Sequence, residues 1–217
     1  MIELLIIALF AGMAYYHINL RDDEFAKVPR KLSDRLGKLW DIAHQGMREN
    51  RFLKAEKALL TILKIDEKNA AAYNRLGILY AKQKEYRDAI DCFEIASSID
   101  PSASSLHNLG LIYYETENYD KAAIAFQQAL KLEDQLAARH VAHAKVQEKL
   151  NNSKAMFESL HRAIELEPTK ETYSLLLRAY RDNGMVEEAD ILESKMAKMK
   201  NSTKAKKRIL RPRRVVL

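Results

Sequence analysis

The fold is decided by AAAYNRLGILYAKQKEYRDAIDCFEIASSIDP (Ala70–Pro101) and the segment that follows it, SASSLHNLGLIYYETENYDKAAIAFQQALKLEDQL (Ser102–Leu136). The two state one pattern twice. Tyr73, Leu76, Gly77, Tyr80, Ala89, Phe93 and Ala96 in the first answer to Leu106, Leu109, Gly110, Tyr113, Ala122, Phe126 and Ala129 in the second. Gly77 to Gly110, Ala89 to Ala122 and Phe93 to Phe126 are each 33 residues apart. A fixed period of this length marks a stacked array of supersecondary units. The residue types suit two antiparallel helices per unit. Gly77, Gly110, Ala89 and Ala122 are small where backbones must approach, and Tyr73, Tyr80, Phe93 and Phe126 fill the space around each crossing. Pro101 cannot continue the helix before it and so marks the turn to the next unit.

On these residues the chain resembles the tetratricopeptide repeat family, whose helix-turn-helix unit of about 34 residues carries a large residue, Leu-Gly, Tyr, Ala, a bulky apolar residue, Ala and Pro. The same register extends to both sides. Upstream it is met by Leu39, Ile42, Ala43, Ala55, Leu59, Ile62 and Ile65-Asp66, with Trp40 one place past the expected large residue. Downstream it is met by Met156, Leu160, Ala163 and Pro168, then by Tyr173, Leu176, Leu177, Tyr180, Gly184, Ala189 and Met196. The first helix of the fourth unit departs, with His140, His143, Ala144 and Gln147 in place of the large residue, Leu, Gly and Tyr. The expected organisation is an all-α fold, an α-solenoid of five repeats at residues 36–69, 70–102, 103–136, 137–169 and 170–200. The resemblance implies ten helices wound into a right-handed arc with a concave and a convex face.

Composition frames the rest. Among 217 residues the single cysteine, Cys92, rules out an intrachain disulfide framework. The net charge is +6, yet from Lys195 onward there are ten Lys or Arg and no acid. Residues 1–194 hold 26 basic against 30 acidic residues, so the repeats are mildly acidic and the basic balance belongs to the end.

Residues 1–20 contain a run of 17 without charge, Leu4–Leu20, at the short end for a membrane span, with Tyr15, Tyr16 and His17 suited to a headgroup zone. The leading reading is a retained single-pass membrane anchor. A cleaved leader and a helix packed on the first repeat stay open; no Lys or Arg precedes the apolar run, which counts against the leader. Arg21, Lys27, Arg30, Lys31, Arg35 and Lys38 follow the run, so the positive-inside rule orients the repeats toward the cytoplasm. Residues 21–35 read as a polar linker. Residues 201–217 read as a basic disordered tail carrying Lys204, Lys206, Lys207, Arg208, Arg211, Arg213 and Arg214. Such a tail solubilises, attracts anionic lipid or binds nucleic acid by counterion release; with no aromatic residue between the basic ones, nucleic acid is disfavoured.

The resemblance implies a partner-binding groove lined by the first helix of each pair. In this register the groove takes Trp40, His44, Arg48, Asn74, Lys82, His107, Tyr114, Lys145, Arg178 and Arg181. Its balance is basic with some aromatics, which suits a peptide or helix carrying acidic and apolar residues. The two-carboxylate clamp by which some members of the family hold acidic chaperone tails is not present in either frame of the register. His140 and His143 share a helix face, but zinc needs three or four protein ligands and no further ligand is near in sequence. No nucleophile, phosphate loop or paired metal ligands occur. The expectation is a membrane-tethered interaction scaffold, not an enzyme, without cofactor, with self-association left open.

Overall fold

The structure is a computed structural model that describes the backbone of residues 31–209 and the side chains of residues 31–198. The expected anchor at residues 1–20, most of the linker, and Arg211, Arg213 and Arg214 lie outside the described residues. The chain divides into two compact units, residues 1–79 and 80–217. Among the described residues ten helices and no strand are present.

The first unit holds α1 (31–48), α2 (Phe52–Ile65) and residues 70–79 of α3 (Ala70–Gln83). Residues 31–35, expected in the linker, are helical. Ala43, Ala55, Leu59, Ile62, Ala72, Leu76 and Leu79 are buried, and on α2 they recur three or four residues apart, one stripe of an amphipathic helix. The crossing of α1 and α2 is close: a Cβ on Gly46 would lie 3.0 Å from the Ala55 Cβ. Gly46 had no place in the sequence pattern, because it occupies the register position where the clear repeats carry Tyr80 and Tyr113.

The second unit continues with α4 (Tyr86–Ile99), α5 (Ala103–Glu115), α6 (Tyr119–Leu132), α7 (Ala137–Lys149), α8 (Ser153–Leu166), α9 (Lys170–Asp182) and α10 (Val186–Ile209). Each helix packs on the next in chain order, and α5 also reaches α7. That is the contact scheme of stacked helix pairs, in which a unit touches only its neighbours. Phe93 and Phe126 are fully buried. Gly110 does what the pattern requires of it, since a Cβ there would meet the Phe126 ring at 2.7 Å.

A single turn geometry joins the two helices of every pair. Asn50, Lys84, Glu117, Asn151 and Gly184 all have left-handed backbone, with φ of 56°, 64°, 61°, 55° and 72°, and they recur every 33 or 34 residues. One residue later the amide N–H donates back five positions: Arg51 to the Gly46 carbonyl, Glu85 to Tyr80, Asn118 to Tyr113, Asn152 to Gln147 and Met185 to Tyr180, at 2.8–2.9 Å. This is the Schellman closure of a helix end. Between pairs the chain turns through extended residues of one charge, Asp66, Asp100, Glu133 and Glu167. The helix after each turn is started differently: Ser102 and Thr169 form capping boxes with Ser105 and Thr172, whereas Leu136 before α7 supplies no cap.

The last helix departs from expectation. It continues past residue 200 to Ile209, so residues 201–209, with Lys204, Lys206, Lys207 and Arg208, are helical rather than irregular. The physical reason is plain in the sequence: no glycine or proline lies between Gly184 and Pro212, and the intervening Lys, Ala and Arg favour helix.

Candidate interaction groove

In the second unit the first helices of the third and fourth pairs, α5 and α7, lie side by side. Between them opens a cavity of about 220 Å³ lined by His107, Leu111, Tyr114, Glu115, Phe126, Ala138, Val141, Ala142 and Lys145. Val141 and Lys145 share one face of α7 by their spacing of four, as His107 and Leu111 do on α5. The floor is apolar: the buried Phe126 ring stacks tilted on His107 with centroids 5.4 Å apart, and Tyr114 leans edge-on against Tyr119 at 5.5 Å. Leu111, 40% exposed, is an apolar residue this floor leaves in water.

The polar groups are few. Lys145 is exposed and makes no ion pair among the described residues, and Glu115 stands on the same rim. His107 Nδ1 is buried without a hydrogen-bond partner, an uncommon state for a polar atom that loses contact with water. Burial, and then the positive charge of Arg139, hold the His107 imidazole below its ordinary pKa, so the ring is neutral at pH 7. A neutral His107 carries one donor and one acceptor nitrogen and no charge.

One pair further on the groove is shut. Between α7 and α9 the space lined by Val141, Ala144, Lys145, Glu148, Met156, Leu160, Leu175, Arg178 and Ala179 amounts to about 10 Å³, room for one water at most. Arg178 reaches across to Glu148 at 3.4 Å and also approaches Asp182 at 3.8 Å. Arg181 turns away from the groove and pairs with Glu193 on α10 at 2.7 Å. The groove is therefore less basic than its sequence suggested, because two of its arginines are neutralised within the chain. The register gave the residues but not their partners, which come from Glu148 on the neighbouring pair and Glu193 on the second helix of the same pair.

On α1, Trp40 and His44 stack with centroids 5.6 Å apart and Arg48 is exposed. Asn74 on α3 is half-buried and engaged in an interaction of its own. Lys82, which falls in the second unit, is exposed. His140 and His143 do not form a metal site, and no cluster of three metal-ligating residues occurs among the described residues. His140 Nε2 lies 2.8 Å from the Asp134 carbonyl, while His143 bridges Ser159 Oγ at 2.7 Å and Gln147 at 3.1 Å. These bonds replace the Leu, Gly and Tyr packing of the clear repeats.

The tetratricopeptide repeat profile matches residues 69–135. That segment carries tetratricopeptide repeats. Solved structures extend the likeness of fold beyond that segment. The crystal structure of MamA protein is 23% identical, with a TM-score of 0.71, over 85% of this chain and 98% of that one. A MamA fragment from Desulfovibrio magneticus RS-1 is 14% identical, with a TM-score of 0.70, over 78% and 97%. YrrB, described as a TPR protein with an unusual peptide-binding site, is 18% identical, with a TM-score of 0.62, over 69% and 78%. No curated protein sequence matches significantly.

Arg139 is the residue that sequence reasoning missed. It is 4% exposed, anchored through Nη1 to Glu133 at 2.7 Å, with Nε buried and unpartnered. Its register position is held by Ala72, Ser105 and Thr172 in other repeats, so nothing in the pattern announced a buried cation there. A signal existed in retrospect: the α7 start lacks a capping side chain, and Arg139 Nη1 reaches the Glu133 carbonyl at 3.4 Å beside that uncapped turn.

Proposed function

We propose that this protein is a protein-interaction scaffold whose tetratricopeptide groove takes a partner segment at the junction of the third and fourth repeats. The observation that carries the reading is the α5–α7 cavity, apolar at its floor, with Lys145, which makes no ion pair among the described residues, at its edge. An apolar partner side chain fills the cavity, and a partner carboxylate meets Lys145. Cavities of this size, apolar with a few polar groups, suit an anchoring side chain rather than a large ligand.

We place residues 1–20 in a membrane as a single-pass anchor with the repeats on the cytoplasmic face. Among the described residues no helix is long and apolar enough to cross a membrane. Support for the anchor is the uncharged run Leu4–Leu20 and the six basic residues that follow it.

Selection of displayed peptides on the full chain tests the groove. The expected outcome is enrichment of sequences with an apolar residue beside Asp or Glu, and a loss of at least about tenfold in their affinity on Val141→Glu or Leu111→Glu. Undiminished binding by both variants overturns the site. Carbonate washing and protease protection of membranes bearing a C-terminally tagged chain test the tether: the tag should stay in the washed membrane and be digested only after lysis. A tag digested on intact wall-stripped cells favours an exported binding module instead.

A further inference from the structure

The last helix carries a feature that neither the repeat nor the groove uses. The first eight residues of α10, Val186–Glu193, hold four acids and no base, and from Lys195 to Arg208 there are seven bases and no acid. A helix gains from acid at its start and base at its end, but only within about one turn of each terminus. Asp190, Glu193, Lys195 and Lys198 lie deeper than that, so the segregation exceeds what α10 needs for itself.

The same helix shows an unpartnered face. Ile191 is 70% exposed and Val186 65%. Asp190, Ile191, Ser194, Lys195 and Lys198 lie together along the exposed side of α10. Asp190, Ser194 and Lys198 follow one another at intervals of four, on one helix face. Both Asp190 and Lys198 are exposed and form no ion pair among the described residues.

We infer that α10 is a self-association surface: two copies of this chain pair their α10 helices antiparallel about Ser194. A twofold axis there sets Asp190 of each copy against Lys198 of the other, because they stand equally far on either side of the axis. The acidic half of one helix then lies on the basic half of its partner. Ile191 of each copy covers the other's small Ala197 and leaves water. The contact is isologous and closes at two, and the opposed charges exclude the parallel arrangement, which would stack acid on acid. Paired about Ser194, the two helices overlap over residues 186–202, a face about 25 Å long and roughly 10 Å wide, which buries roughly 500 Å² in total, below the standard size of stable complexes. The pairing is therefore weak and salt-sensitive.

Charge exchange tests it. Sedimentation velocity of the full chain at about 50 μM, in a density-matched non-ionic detergent, reads the dimer directly. In about 0.05 M salt the wild type is expected to dimerise, and in about 1 M salt to dissociate. Asp190→Lys or Lys198→Glu alone should each weaken the dimer about tenfold, since each removes two symmetric pairs and adds repulsion. The double variant, D190K with K198E in one chain, should restore it to within about threefold. A monomeric wild type in low salt, or a dimer indifferent to both single changes, overturns the inference. So does a monomer that binds vesicles containing phosphatidylserine in a manner lost on Lys198→Glu, which would give the basic half of α10 to lipid.

Discussion

Gly110 makes the sharpest residue-level demand on the sequence. Phe126 is 1% exposed, and a Cβ placed 2.7 Å from its ring would drive it toward the groove it floors. Gly110→Ala is expected to cost about 2 kcal/mol by overpacking, read as a lower midpoint in urea with an unchanged slope. The two half-buried imidazoles respond to pH. Burial is the first cause that lowers the pKa of both His107 and His143, with Arg139 and His140 as second causes. Below the unfolded value of 6.5 the unfolded chain takes up protons that the folded chain refuses. Stability therefore falls as pH drops below about 6.5, in proportion to the difference in protons bound. Thermal unfolding between pH 7.5 and pH 5, values set by the histidine range, should show this decline, and His107→Gln should make it shallower. An identical slope in that variant would remove His107 from the account.

At the scale of the element, the Schellman turns set a rule that the sequence obeys only once. Five residues need left-handed backbone, yet Gly184 is the one glycine among them. A side chain in that conformation costs about 1–2 kcal/mol, less for asparagine, and the gain from glycine is reduced by about 0.5–1 kcal/mol of chain entropy. Lys84→Gly and Glu117→Gly should each stabilise by up to about 1 kcal/mol, while Asn151→Gly should change little. Gly184→Ala should destabilise by about 1 kcal/mol although nothing lies within 4 Å of its new Cβ, because the penalty is in the backbone. Thermal melts of the four variants give the signs. These turns were almost invisible in sequence: Asn, Lys, Glu, Asn and Gly share no side-chain chemistry, and what they share is a dihedral angle imposed by the helices on either side.

At the scale of the second unit, every helix leans mainly on its chain neighbours, so stability is a sum of local and nearest-neighbour contributions. Helices with neighbours on both sides should open last. Hydrogen exchange of the full chain is expected to protect α6 and α7 most and α10 least among the described helices of this unit, with residues 201–209 exchanging earliest. Uniform protection from α4 to α10 would mean a single cooperative block instead.

The sequence by itself determined the helix-pair fold, since a period of 33 residues fixes which small residues face which large ones, and Gly110 against Phe126 follows from size alone. Its register also put His107 and Tyr114 on α5 and Lys145 on α7, where they line one cavity, because helical spacing is a property of the chain. Only the tertiary structure decided what that groove can do. The electrostatics of Arg178 and Arg181 depend on Glu148 and Glu193, 30 and 12 residues away, and the state of His107 depends on burial and on Arg139. Charge is screened, paired or orphaned according to what lies across a contact, and a contact across helices is not written in the order of residues along one.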